Sequence, residues 1–209
     1  MLSWNFWMDY NSIRTALPEQ VTLVVISKGR TLREIEEVYE AGARDFGENR
    51  IKEAEAKIAA LPSDIRWHFI GPLQRNKVSK VVGRFHLIHS VDNVELACAI
   101  SQKSSKDTSI LLQANTSGEL AKGGLSPEEW IRAFPEVHAL PHLVIKGLMT
   151  MAPMTENKEI IRHCFAGLRR LQKQLGAPLP ILSMGMSQDY PIAVEEGSTL
   201  VRIGTKIFS

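Results

Sequence analysis

Aliphatic runs recur along this chain, and each is followed by a stretch whose apolar positions return every three or four residues. The first run, residues 21–28, reads Val-Thr-Leu-Val-Val-Ile-Ser-Lys. It lacks polar alternation, which marks a strand covered on both faces, as in parallel sheets flanked by helices. Thr31 then caps a helix with Glu34 as its capping-box partner. Leu32, Ile35, Val38 and Tyr39 form that helix's apolar stripe, and Gly42 ends it. The pattern repeats. Further strands are predicted at residues 44–49, 65–71, 86–91, 109–115, 143–149, 180–184 and 199–203. Helices are predicted between them at 50–61, 73–82 (a basic one), 93–103, from Ser126 onward, at 157–175 and at 190–196. Residues 116–124, with Gly118, Gly123 and Gly124, read as a mobile loop. A short amphipathic helix is predicted over about 1–17, with Trp4, Phe6, Trp7, Ile13 and Leu17 covering a core and Pro18 stopping it.

Strict alternation of strand and helix requires a parallel sheet with right-handed crossovers. Eight such units suggest an α/β fold of the closed (β/α)8 TIM-barrel type. An open doubly wound sheet is the alternative, but no G-x-G-x-x-G follows the first strand. Residues 1–209 are expected to form one domain. No helix pattern follows the last strand, so the helix at 1–17 is expected to pack beside the seam between the first and last strands.

Composition adds exclusions. The chain is 44% hydrophobic and 23% charged, as in ordinary globular proteins. A net charge of +2 points to neither nucleic acid nor acidic membranes. No apolar run reaches the length of a membrane span, and the N-terminus does not read as a secretory signal. Cys98 and Cys164 fall in helical patterns and read as free thiols of a cytoplasmic protein. No cysteine or histidine spacing suits zinc; His86 and His89, three apart on a strand, are expected to face opposite sides. Arg75, Lys77, Lys80 and Arg84 read as a solvated face, because no aromatics interleave them.

The chemistry starts at Lys28. In α/β proteins ligands bind where strands end, and a lysine there is placed to attack a carbonyl. Alternation puts Lys28 on the face of Ile26, Val24 and Thr22; an apolar interior would strip its ammonium of water and favour attack. The plain alternative is a strand-end lysine whose head snorkels to water. Near the other end, the seventh strand runs into Ser183-Met184-Gly185-Met186-Ser187, just before a helix start. The eighth gives Arg202-Ile203-Gly204-Thr205. Glycines, hydroxyls and free amides after these two strands suit a phosphate, unless the turns only close loops. A ligand with both an aldehyde and a phosphate is pyridoxal 5′-phosphate (PLP). A phosphosugar held by a Schiff-base aldolase is the competing reading. Arg202, inward-facing by alternation, would hold a pyridine nitrogen unprotonated and weaken the cofactor as an electron sink. Otherwise it pairs with a carboxylate or a phosphate.

Several ordered motifs then converge: VVISK, ARDFGEN, WHFIGPLQRNK, HLIHSVD, IKGLMTMAP, LSMGMSQD and LVRIGTKIF. Between residues 21 and 208 the chain resembles the pyridoxal phosphate homeostasis proteins, single-domain relatives of the alanine racemase N-terminal barrel. The resemblance implies a PLP-binding barrel without established turnover that keeps intracellular vitamin B6 and amino-acid pools in balance. It implies that Lys28 carries the Schiff base. Ser187, Gly204 and Thr205 would bind the phosphate, and Arg202 would face the pyridine nitrogen. Asn49, His68 and Met149 would line the site. Implied partners are PLP, amines or amino acids, and PLP-acceptor apoenzymes, with the chain a monomer. The sequence departs from the family pattern at Gly29-Arg30 after the lysine, at Gly71-Pro72-Leu73-Gln74 and at Lys122-Gly123-Gly124-Leu125. In two-domain racemases a tyrosine from a second domain faces the lysine. Tyr10, Tyr39 and Tyr190 offer no obvious equivalent, so racemisation is expected to be slow or absent. A weak PLP enzyme of racemase type and the Schiff-base aldolase remain the alternatives.

Overall fold

The computed structural model describes residues 4–119 and 122–208, and side chains from residue 6. Trp4's part in the first helix's apolar face, and the loop reading at 120–121, therefore lie outside the described residues. The strands are β1 (Thr22–Ile26), β2 (Asp45–Glu48), β3 (Arg66–Phe69), β4 (Leu87–Val91), β5 (Thr108–Gln113), β6 (Leu143–Met149), β7 (Ile181–Ser183) and β8 (Leu200–Ile203). The helices are α1 (Trp4–Ala16), α2 (Leu32–Glu40), α3 (Ile51–Ala60), α4 (Val94–Lys103), α5 (Pro127–His138), α6 (Lys158–Leu175) and α7 (Tyr190–Glu195). All strand pairings are parallel, and β8 closes on β1 to complete an eight-stranded barrel. The expected alternation and closure are both present. Among the described residues no helix is long and apolar enough to cross a membrane.

Local signals explain the helix starts. Thr31 and Glu34 form a full capping box at α2, and Ser126 and Glu129 form another at α5. Asn157 caps α6 by accepting from Glu159 N and Ile160 N, and Gly176, at φ +63°, ends it in the left-handed region. The helix expected at 73–82 is instead a short 3₁₀ turn, Arg75–Lys80. Gln74 supplies no side-chain cap there, and no acidic residue sits in the first turn. Nothing offsets the orphan amides that a longer helix would have to nucleate past.

The core lies between barrel and helices. On one side Leu23, Val25, Phe46, Trp67, Val201 and Ile203 pack with Ile35 and Val38 of α2 and with Tyr10, Ile13 and Leu17 of α1. On the other, Phe69, Ile88, Ile110, Leu112, Leu148 and Leu182 meet Trp130, Phe165 and Leu168. Helix α1 packs across the β8–β1 seam, with the Phe6 and Phe208 rings edge to face at 5.4 Å. Arg14 ties its end down by donating to the carbonyls of Leu17, Pro18 and Val21. Inside the barrel the apolar cluster is small: Val24, Leu87, Leu111, Met149 and Leu200. Polar side chains, among them the buried His68, His89, Ser183 and Arg202, share the interior with it.

Candidate cofactor site

Alternation decides what reaches the open end. Val24 and Ile26 belong to the interior cluster, so the next residue of that set, Lys28, arrives at the rim beyond β1. Lys28 is exposed, so of the two readings of this position its head group reaches water rather than an apolar interior. Beyond β2, Glu48 turns outward to α3, and Asn49 follows on the inward side. The Asn49 Oδ1 is buried and lacks a hydrogen-bond partner. Such an orphan acceptor is costly, and a ligand hydroxyl would relieve it.

The loops beyond β7 and β8 touch each other, because Lys206 N donates to Ser187 Oγ at 3.4 Å. Ser187, Gly204 and Thr205 are thereby brought together. Gly204 lies close against β1: an added Cβ would stand 3.1 Å from both Cβ and O of Ile26. The turns beyond β7 and β8 and the end of β1 therefore share one rim. The helix expected to aim its amides into this loop, α7, has only six residues. Asp189 does not cap it; its Oδ1 accepts from Met186 N at 2.6 Å and closes the loop on itself.

Arg202 is buried on the interior of β8. Its guanidinium donates to Ser183 Oγ and to Thr150 O at 3.0 Å, a hydroxyl and a carbonyl rather than a carboxylate. Burial pushes its pKa down to about 10, against a raising influence from Asp189, so it remains a cation at neutral pH. His68 and Met149 sit deeper than the rim. Met149 is part of the interior apolar cluster, and both His68 ring nitrogens are taken by Asp45 and His89. His86 and His89 do not face opposite sides. Both rings pack on His68, at centroid separations of 5.7 Å and 5.1 Å. β4 begins only at Leu87, so His86 stands before the strand and its alternation does not govern where that ring points.

Two groups escaped the sequence reading. One is the chain of inward polar residues beneath Arg202. The other is a buried ion pair behind the rim, in which Lys57 Nζ donates to Glu48 Oε1 at 2.6 Å and to Ser27 O at 2.7 Å. Ser27 precedes Lys28, and Glu48 precedes Asn49. A sign of it was available, since Lys57 shares the buried stripe of α3 with Ala54.

Gly71 positions Asn49. A Cβ at Gly71 would stand 2.1 Å from Asn49 O and 2.7 Å from its Cα, so backbone would have to move. Gly71→Ala is expected to cost about 1–3 kcal/mol of stability and, by displacing Asn49 by about 1 Å, to weaken ligand retention about tenfold or more. Urea unfolding and ligand titration on one preparation check both parts.

Asp45 gives a pH signature. Burial alone would raise its carboxyl, but hydrogen bonds from His68 and Arg66 outweigh this and hold it at about 2. The folded value lies below the unfolded one, so the stabilisation is present above about pH 4 and is lost as pH falls toward 2. Its size is about 2 kcal/mol. Asp45→Asn is expected to flatten that part of the acid stability profile in urea melts between pH 5 and pH 2.5.

Residues 7–209 match the family described as alanine racemase, N-terminal domain. The chain is 43% identical to the pyridoxal phosphate homeostasis protein of Aquifex aeolicus (strain VF5) over 182 residues, 83% of this chain and 80% of that one. It is 41% identical to the protein of the same name from Synechocystis sp. (strain ATCC 27184 / PCC 6803 / Kazusa) over 208 residues, 95% of each. Among solved structures it is similar to PipY of Synechococcus elongatus PCC7942 with PLP bound, at a TM-score of 0.90 and 36% identity, covering 98% of this chain and 100% of that one. Alanine racemase from Corynebacterium glutamicum shares the fold, with a TM-score of 0.83 at 15% identity. With its closed barrel, its rim lysine and these relatives, the chain belongs to the alanine racemase N-terminal domain family and, within it, to the pyridoxal phosphate homeostasis proteins.

Proposed function

We propose that this chain binds PLP at the open end of its barrel and serves PLP and amino-acid homeostasis by holding and passing on the cofactor. The observation that carries the reading is the convergence at one rim of Lys28, the Ser187–Thr205 turns and the buried cation Arg202. The residues present fit the group: a primary amine for the aldehyde, hydroxyls and a close glycine backbone for the phosphate, and an orphan acceptor on Asn49 for a ring hydroxyl. Bound PLP supplies an electrophilic carbon and an electron-accepting ring. Lys28 would hold it through a bond that an incoming amine or amino acid can exchange, freeing the lysine amine, and a PLP-requiring apoenzyme would then receive the cofactor. Ser187, Gly204 and Thr205 anchor the phosphate. Arg202 would face the ring nitrogen and keep it unprotonated, which would dampen chemistry at a bound amino acid. Tyr39 donates to Asp64 on the outside of the barrel, Tyr10 lies in the outer seam, and Tyr190 packs against the same outer cluster with Lys206 over its ring, so none of the three is paired with Lys28. This favours carriage over racemisation. Residues 1–209 act as one cofactor-binding unit.

The test is to add PLP to the purified chain, reduce it with borohydride and map the modified residue by peptide mass. A visible band that converts to a stable adduct on Lys28 alone supports the reading. An unmodified chain, or label spread over surface lysines, overturns it.

A further inference from the structure

A line of polar side chains crosses the barrel interior from its closed end to Arg202. Asp45 Oδ1 lies 3.0 Å from His68 Nε2. His68 Nδ1 lies 2.9 Å from His89 Nε2, and His89 Nδ1 lies 3.0 Å from Ser183 Oγ. Ser183 Oγ in turn accepts from Arg202. His68, His89 and Ser183 are almost wholly buried. The far end reaches water, because Asp45 pairs with Arg66, whose side chain is 49% exposed.

The donors and acceptors set a direction. Asp45 is ionised and only accepts, so His68 Nε2 is the donor of that bond. Ser183 Oγ takes a hydrogen from Arg202 and keeps one of its own to give, and His89 Nδ1 is the acceptor in reach. Burial, with Arg202, His68 and His86 nearby, holds His89 well below the usual histidine range, so it is neutral and its one hydrogen sits on Nε2. That hydrogen points at His68 Nδ1. Every bond in the line then donates away from Arg202 and toward Asp45. Arg66, Lys146 and His86 flank the closed end, and Asp189 faces Arg202.

We propose that Asp45, His68, His89 and Ser183 are positioning residues that order the hydrogen bonds of Arg202 from the closed end of the barrel, so that the carboxylate of Asp45 tunes the arginine at the cofactor nitrogen. This rests on the PLP-binding function. Ser183 is the joint. With its hydrogen committed to His89, its oxygen offers Arg202 a fixed acceptor, and the guanidinium keeps its remaining donors for the ligand.

The test uses the full-length chain with Asp45→Asn, Ser183→Ala and the double variant. In the cofactor-free protein, Asp45→Asn is expected to move the imidazole ¹⁵N resonances of His89, with which Asp45 makes no direct hydrogen bond. With PLP added, it is expected to move the midpoint of the visible band's pH titration down by at least about 0.5 units, as removal of a negative charge requires. In the Ser183→Ala background the same substitution is expected to leave the midpoint in place, because the line is cut. Equal shifts in both backgrounds would mean a field acting through space and would overturn the proposal. So would unmoved His89 resonances. Absence of any Lys28-dependent band in the native chain would instead sink the PLP reading, while the cofactor-free resonances still decide whether the line is coupled. If circular dichroism shows that Asp45→Asn does not fold, Asp45→Ser, which removes the same charge, takes its place in the same scheme, with the same outcomes.

Discussion

Lys28→Ala is expected to remove the visible band and the borohydride-stable adduct completely, while unfolding free energy stays within about 0.5 kcal/mol of the native value. The two halves come from one observation. Lys28 is exposed at the rim, so truncating it leaves no cavity and no orphaned buried group. Its neighbour Ser27 is wholly buried and makes the structural contacts of this strand end. The proposed attachment and the structural contacts therefore fall on adjacent residues. Retention by the phosphate turns alone should persist. The affinity for PLP is expected to fall about a hundredfold, equivalent to about 2.7 kcal/mol, rather than vanish. Inorganic phosphate should compete with PLP in the variant, since Ser187, Gly204 and Thr205 remain. A variant that loses stability along with the band would place Lys28 in the scaffold. A variant that keeps the band would assign the attachment to another lysine.

The architecture was legible because every local signal agreed. Eight aliphatic runs alternating with helical stripes left few topologies open, and Thr31, Ser126 and Asn157 mark helix starts that the structure reproduces. The strand ends that meet at the rim were legible for the same reason: alternation and turn chemistry can be read locally there. The interior was not. A period of two predicts opposite faces for His86 and His89, yet His86 precedes the first residue of β4 and both rings pack on His68. Nor does sequence spacing reveal that Asp45, His68, His89, Ser183 and Arg202 are neighbours, since they come from five strands that meet only once the barrel closes. The setting of Lys28 was open between two readings. It ends a buried strand, but the strand's burial stops at Ser27.

The pair behind the rim gives the largest expected effect on stability. Lys57 and Glu48 have side chains only 8% and 0% exposed, and they join α3 to β2. Lys57 also donates to Ser27 O, and Ser27 Oγ donates to the same Glu48 oxygen at 2.7 Å, which ties in β1. Removing one member strands the other as a buried charge. Lys57→Met is expected to cost about 3–5 kcal/mol, because Glu48 then keeps only the Ser27 hydroxyl and its Oε2 already lacks a partner. The double variant Lys57→Met, Glu48→Leu removes both charges and is expected to recover most of that loss, since a buried pair roughly balances its own desolvation. Urea unfolding of the native chain, the two single variants and the double variant measures the coupling directly. If the losses add instead of cancelling, the pair is not acting as a unit. The same series reports on the site, because Ser27 and Glu48 adjoin Lys28 and Asn49. A pair that clamps the ends of β1 and β2 predicts that the single variants also lose PLP affinity in urea-free buffer, and that the double variant regains stability before it regains affinity, because two apolar side chains fill the space without fixing the backbone through Ser27 O.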